Sequence, residues 1–177
     1  TLKKIDLFTN ELGIIKILST KFSFSKIFTE DKNLYKIQKK LKKNIFLVKS
    51  QKKIVQIKPS DCTLGISYGF GIIFTNKIIK KYKEGIWNIH SGDLPAYRGR
   101  HPITAAFLNN EKKIGLSIHL INEKIDQGFL LAKCFVKRTY QDDELSIKKK
   151  LLKNLSRLLK KARRNLQKKN ITKILKG

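Results

Sequence analysis

Apolar residues fall into short runs separated by polar stretches, and the period within each run predicts an element. Leu2 to Phe8 reads as a strand, and Asn10 to Lys21 carries Leu12, Ile15, Ile17 and Leu18 at near-helical spacing, so the chain opens β then α. Phe22 to Phe28 sets Phe22, Phe24, Lys26 and Phe28 against Ser23, Ser25 and Ile27, which predicts a second strand. Leu34, Ile37, Gln38 and Leu41 mark a short basic helix, Ile45 to Val48 a third strand, and Thr63 to Ser67 a fourth. A helix over Thr75 to Tyr82 and a fifth strand over Gly85 to His90 follow. Short uncharged strands of this type suit a parallel sheet covered on both faces. Beyond a loop from Ser91 to Arg100, Pro102 opens a helix at its favoured first-turn position. Ile114 to Ile121 alternates Leu116, Ile118 and Leu120 against Ser117 and His119, Phe129 to Val136 is expected to pair as the last strand, and Glu144 to Leu175 reads as one long basic helical stretch. Strand and helix in alternation argue a three-layer α/β architecture with a mainly parallel central sheet, in a single domain over residues 1–177.

Composition narrows the class. With 41% hydrophobic and 9% aromatic residues, the 177-residue chain can bury a core, which excludes charge-driven disorder, and 10 Gly with 3 Pro exclude collagen-like sequence. The longest uncharged runs, Cys62 to Asn76 and Ile86 to Gly92, fall short of the roughly 20 apolar residues a membrane helix needs. No secretory signal opens the chain, so a cytoplasmic setting without membrane attachment is the expectation. Cys62 and Cys134 have no zinc-type spacing and read as buried free thiols.

Forty Lys and Arg against 13 Asp and Glu leave a net charge of +27, which invites a nucleic-acid reading. Lys, Ile and Asn abound everywhere, however, as an AT-rich genome alone would produce, and no aromatic residues interleave the charge as on a stacking platform. In the terminal stretch Ile147, Leu151, Leu152, Leu155, Leu158, Leu159 and Ala162 recur at three and four, so one face packs on the domain. The opposite, basic face reads first as solvated side chains, with an RNA or membrane-surface role as the alternative.

Candidate chemistry centres on Asn88 and His90. Residues two apart in a strand point to the same side, so a carboxamide and an imidazole can face one cavity at the strand end. Asn offers a neutral donor for a developing oxyanion, and His can donate to the same oxygen or move a proton near neutral pH. Asp126, in the turn Glu123 to Gly128, is the best-placed carboxylate to orient that imidazole; read alone, it is a turn former. Asn, His and Asp together suit acyl transfer without a nucleophilic Ser or Cys.

Asn88-Ile89-His90, then Leu94-Pro95-Ala96-Tyr97-Arg98-Gly99-Arg100 with His101-Pro102, then Asp126-Gln127-Gly128, resemble the signature of the folate-dependent formyltransferases: N-x-H, a P-x-Y-R-G-x-x-P loop and a later D-x-G. The resemblance spans Gly65 to Ala132 and, more loosely, the whole chain. It implies a Rossmann-like fold that moves a formyl group from 10-formyl-tetrahydrofolate to a primary amine, without a metal. In that reading Asn88 and His90 stabilise the oxyanion of a tetrahedral intermediate, and Asp126 sets the protonation of His90 and assists proton removal from the amine. Tyr68, Gly69, Phe70 and Gly71 resemble the segment lining the folate pocket, and Ile121 and Gly128 join that set; a tight strand-to-helix turn between buried elements is an equally compatible reading of Tyr68 to Gly71.

Asp93, Tyr97, Arg98, Gly99, Arg100 and His119 are the acceptor-side candidates. Gly92 and Asp93 stand where the family usually has Ser and Leu, so Asp93 either pairs with an acceptor ammonium or caps a turn. His119 resembles the glycinamide ribonucleotide and amino-sugar branches, but Phe8 to Gly13 lacks the Gly/Ser-rich phosphate loop of the former. Tyr97 to Arg100 looks most like the sugar-nucleotide branch, where an Arg can grip phosphate bidentately. The resemblance thus implies an amino sugar on a nucleotide as acceptor, with methionyl-tRNA, or an idle basic binding module of the same fold, as alternatives. With 177 residues, no C-terminal barrel domain of the kind that the usual methionyl-tRNA enzymes carry is expected; a homo-oligomer is compatible.

Overall fold

A computed structural model describes residues 3–56 and 61–174. The chain divides into two compact units, residues 1–88 and 89–177.

The first unit is built on β1 (Lys3–Thr9), β2 (Phe22–Thr29), β3 (Ile45–Leu47), β4 (Gly65–Tyr68) and the start of β5 (Ile86–His90). These pair in the order β3-β2-β1-β4-β5, every pair parallel, which realises the expected parallel sheet. Helices α1 (Leu12–Ser19), α2 (Lys32–Lys40), α3 (Gln51–Gln56) and α4 (Asn76–Ile79) lie between the strands in sequence. Five consecutive residues of β1 and all four of β4 are buried, as central parallel strands require. The strand order reverses between β1 and β4, the kind of switch point where open α/β sheets bind ligands.

The core of this unit is aromatic. The Phe8 ring stacks on Phe28 at 4.6 Å and meets Phe74 edge-on at 4.9 Å, and each fully buried side chain of this size contributes roughly 1.5–3 kcal/mol. Tyr82 donates its hydroxyl to buried Asp6 at 2.8 Å; burial first, then the Asp6 charge, drives the Tyr82 pKa far upward. In β2 a bulge opposite Ile5 and Asp6 shifts the register, and beyond it Ile27, Phe28 and Thr29 are all buried, so both faces of the strand are covered there. Asp31 caps α2 through the Leu34 N–H at 2.6 Å, worth about 1 kcal/mol. Only Leu34 and Gln38 of α2 are buried, and Ile37 and Leu41 face solvent.

The second unit holds α5 (Pro102–Leu108), β6 (Lys113–Leu120), β7 (Phe129–Lys137), α6 (Glu144–Lys153), α7 (Leu155–Gln167) and β8 (Thr172–Lys173). β6, β7 and β8 are antiparallel neighbours. Two expectations are corrected here. β7 is followed by β8, whose Thr172 and Lys173 pair with Leu130 and Phe129. The single helix expected from residue 144 onward breaks at Asn154, whose side chain donates to the Lys150 carbonyl, and ends near Lys169 at φ 54, a left-handed backbone that stops a helix. Leu2 and residues 175–177 lie outside the described residues. Cys62 is buried as expected, whereas Cys134 is half-buried; both are free thiols. Among the described residues, no helix is long and apolar enough to cross a membrane.

Candidate active site

The alternation of β6 builds a seat for the candidate residues. Ile114, Leu116 and Ile118 are core positions, and the residues between them, Gly115, Ser117 and His119, each meet a loop. Gly115 lets the chain pass closely at Asp93, since a β-carbon there would lie 2.7 Å from the Asp93 α-carbon. The Ser117 hydroxyl donates to the Gly92 carbonyl at 2.7 Å and accepts from the Leu94 N–H at 3.1 Å. His119 places Nε2 3.2 Å from Asp126 Oδ1, with Nδ1 3.0 Å from the Leu120 carbonyl oxygen.

Asp126 is the hub of this seat. Its backbone is left-handed at φ 51, a conformation that Asp tolerates better than most residues. The carboxylate accepts the Gly99 N–H at 2.9 Å and lies 3.7 Å from His90 Nδ1, so one buried acid touches both histidines and the loop. Burial alone would raise its pKa, but the His119 hydrogen bond, the His90 charge and the Gly99 N–H outweigh it and hold the carboxyl below its ordinary value. Two residues on, a β-carbon at Gly128 would fall 1.6 Å from the Leu120 carbonyl oxygen, so only glycine fits there.

His90, the last residue of β5, is 6% exposed. Its Nε2 lies 2.5 Å from the Tyr97 carbonyl oxygen, which can only accept, so Nε2 carries the proton. Burial is the largest influence and lowers the His90 pKa, opposed by Asp126 and the Tyr97 carbonyl and aided by His119. Asn88 stands two residues earlier in the same strand, half-buried, at the position paired with Ser67.

The remaining candidates are dispersed. Tyr97 donates its hydroxyl to Glu111 at 2.6 Å, while its backbone carbonyl holds His90. Asp93 pairs with Lys133 at 2.6 Å, so its partner in the structure is a lysine of its own chain. Arg98 is half-buried and Arg100 exposed, and Ile121 follows β6. In the first unit Tyr68 ends β4 buried, Gly69 turns at φ 57, Phe70 packs 5.6 Å from Phe8, and the Gly71 N–H donates to Glu30 at 2.6 Å. Sequence reasoning missed Gly115, Ser117, Glu111 and Lys133. A cavity of about 310 Å³ borders the same loop, lined by Gly92, Asp93, Tyr97, Glu111, Lys113 and Phe135 among others.

The chain combines an α/β fold with a parallel sheet, an N-x-H strand end, and a buried acid bracketed by two histidines. The Formyl transferase family model matches residues 25–162, and the chain belongs to that family. It is 31% identical over 135 residues to methionyl-tRNA formyltransferase of Enterococcus faecalis, covering 67% of this chain and 42% of that protein. Against the bifunctional polymyxin resistance protein ArnA of Wigglesworthia glossinidia brevipalpis it is 35% identical over 85 residues, covering 48% of this chain and 13% of that protein. The chain thus spans less than half the length of either curated relative. The crystal structure of phosphoribosylglycinamide formyltransferase from Streptococcus pneumoniae superposes with a TM-score of 0.76 at 19% identity, covering 90% of this chain and 98% of that one, which establishes the likeness of fold.

Proposed function

We propose that this chain transfers a formyl group from 10-formyl-tetrahydrofolate to a primary amine, and that the amine is carried by methionyl-tRNA. The cluster of His90, Asp126 and His119 carries the first part: a buried carboxylate held ionised against two imidazoles can receive a proton from an attacking amine without a metal or a covalent nucleophile. The donor supplies an activated formyl carbon. Asn88 would offer its carboxamide N–H to the formyl oxygen, and His90 would turn its Nε2–H to the same oxygen by releasing the Tyr97 carbonyl. The amine nitrogen would bond to the formyl carbon; Asp126 would take the amine proton, directly or through one water, and that proton would pass to N10 of the departing tetrahydrofolate as the carbon–N10 bond breaks, while His119 and the Gly99 N–H keep the carboxylate in place. Tyr68 to Gly71 are the residues proposed to hold the folate. The turn fits an uncharged ring better than a phosphate, because Glu30 already accepts the Gly71 N–H that a phosphate would need.

For the acceptor, the likeness to methionyl-tRNA formyltransferase favours an amine borne on RNA. One observation favours the second reading, an amino sugar on a nucleotide: His119, which resembles the small-acceptor branches, contacts Asp126 directly. Asp93 supports neither acceptor while Lys133 holds it.

The test offers purified protein 10-formyl-tetrahydrofolate with methionyl-tRNA or with amino-sugar nucleotides and measures formylated amine. Formylation of the tRNA, lost in His90→Ala and Asp126→Ala, is the expected result. Formylation of the sugar alone would replace the acceptor, and absence of 5-formyl-tetrahydrofolate binding in a calorimetric titration would overturn the enzyme reading in favour of a binding module.

A further inference from the structure

The α7 helix is strongly two-sided. Leu155, Leu158, Leu159 and Ala162 are buried, and Arg157, Lys160, Lys161 and Arg164 are exposed. At 100° per residue these four cations, with Lys168 one turn beyond, fall within one stripe of roughly 120°, opposite the leucines. From Arg157 to Lys168 the stripe runs about 16 Å at 1.5 Å per residue. The sequence of α7, LSRLLKKARRNLQ, contains no acid, and none of the ion pairs found among the described residues uses these cations.

Such a stripe works against the helix that carries it. Arg157 with Lys160 and Lys161, and Arg164 with Lys160, Lys161 and Lys168, stand three or four residues apart, and like charges at that spacing destabilise a helix. Buried leucines hold the helix in spite of this. A polyanion laid along the stripe removes the repulsion and releases its own counterions. A double helix carries one negative charge per about 1.7 Å of axis, so a stripe of this length meets several phosphates at once. We propose that the solvent face of α7 is a docking surface for the phosphate backbone of a structured RNA, through Arg157, Lys160, Lys161, Arg164 and Lys168. A phosphorylated small molecule would engage one or two of these cations; a stripe of five fits a polymer. An exposed aromatic flank is missing from α7 itself, so the surface reads backbone and shape and not bases. The biological use of this face rests on the RNA-linked acceptor proposed above, whereas the binding itself does not.

The experiment measures anisotropy of labelled, unacylated tRNA against the wild-type chain, an Arg157→Gln/Lys161→Gln/Arg164→Gln triple variant, and a control triple, Lys39→Gln/Lys40→Gln/Lys43→Gln, which removes the same charge at exposed positions of the first unit. Calorimetric 5-formyl-tetrahydrofolate binding is measured on all three, so loss of fold or of the formyltransferase reading is seen separately from loss of RNA binding. The expected result is at least about tenfold weaker tRNA binding for the α7 triple, with the slope of log K against log salt reduced by about 2–3, and a much smaller change for the control. Equal weakening by both triples would assign binding to net charge and overturn the proposal. So would an α7 triple that binds tRNA like wild type, including the case where it loses only binding to anionic phospholipid vesicles.

Discussion

Gly92 is where the loop presses hardest on the candidate chemistry, and Gly92→Ala tests that geometry. A β-carbon there would lie 2.6 Å from Pro102 Cβ, 2.7 Å from the Tyr97 carbonyl oxygen and 2.8 Å from His90 Nε2. Ordinary contact begins near 3.4 Å, so the neighbours must give by about 0.6–0.8 Å. None is the far end of a flexible side chain: one belongs to a proline ring at the first turn of α5, one to the backbone, and one to the imidazole itself. Overpacking of this kind costs about 1–3 kcal/mol, which for a chain of this size lowers Tm by about 2–4 °C per kcal/mol. The larger effect falls on turnover. A methyl group wedged between His90 and Tyr97 displaces the ring by a large fraction of an ångström, and misplacement by about 1 Å can cost on the order of 100-fold in rate. Single-turnover formyl transfer should therefore slow about 10–100-fold while 5-formyl-tetrahydrofolate still binds. Gly92→Ser, which installs the residue usual in the family, should behave like Ala. Wild-type rate and Tm in either variant would show that the loop does not lie against His90 and would remove the account of why glycine stands here.

Three further outcomes follow from the same contacts. Because burial holds His90 below its usual value near 6.5, the acid limb of kcat/KM should lie below pH 6.5; Asp126→Asn, which removes the charge that raises that value, should move the limb lower still and slow turnover, and an unmoved limb would refute the coupling. The stability side has two windows. A lowered His90 value costs stability as pH falls from 6.5 toward the folded value, whereas Asp126, held below its ordinary 3.8, contributes stability that is present above 3.8 and lost as pH falls through its folded value, so a pH series of denaturant melts should show both losses in wild type and only the first in Asp126→Asn. Tyr97→Phe leaves the carbonyl but cuts the anchor to Glu111; kcat should fall several-fold with little change in KM for folate, and Tyr97→Phe/Glu111→Ala should be no worse than the stronger single variant, while additive losses would separate the two residues.

The strands of the first unit could be read from the chain because central parallel strands are buried on both faces, and short uncharged runs such as Gly65 to Tyr68 announce that condition locally. What escaped depends on partners distant in sequence. The bulge in β2 cannot be seen in the alternation of Phe and Ser; α3, QKKIVQ, buries one residue, Ile54, and offers no period; and β8 is two residues, Thr172 and Lys173, that become a strand only because β7 presents an edge. At the candidate site the motif residues were legible and their supports were not. Gly115, Ser117 and His119 alternate with Ile114, Leu116 and Ile118, and the second set alone suffices to predict a strand, so Gly115 and Ser117 look like part of an ordinary exposed face and only His119 stands out, through the family resemblance. In the structure that face is buried, and each of its residues binds a loop: at Asp93, at Gly92 and Leu94, and at Asp126. A small residue, a hydroxyl and an imidazole at period two, opposite an apolar face, are therefore the signal available for such a seat. It also explains Gly92 and Asp93. Once Ser117 draws the Gly92 carbonyl down and Gly115 admits the Asp93 backbone, position 92 has no room for a side chain, and the Asp93 carboxylate emerges beside Lys133, which neutralises it. Gly92 and Asp93 are thus fitted to Gly115, Ser117 and Lys133, and the consequence for chemistry runs through the position of His90 rather than through a new ligand for the acceptor.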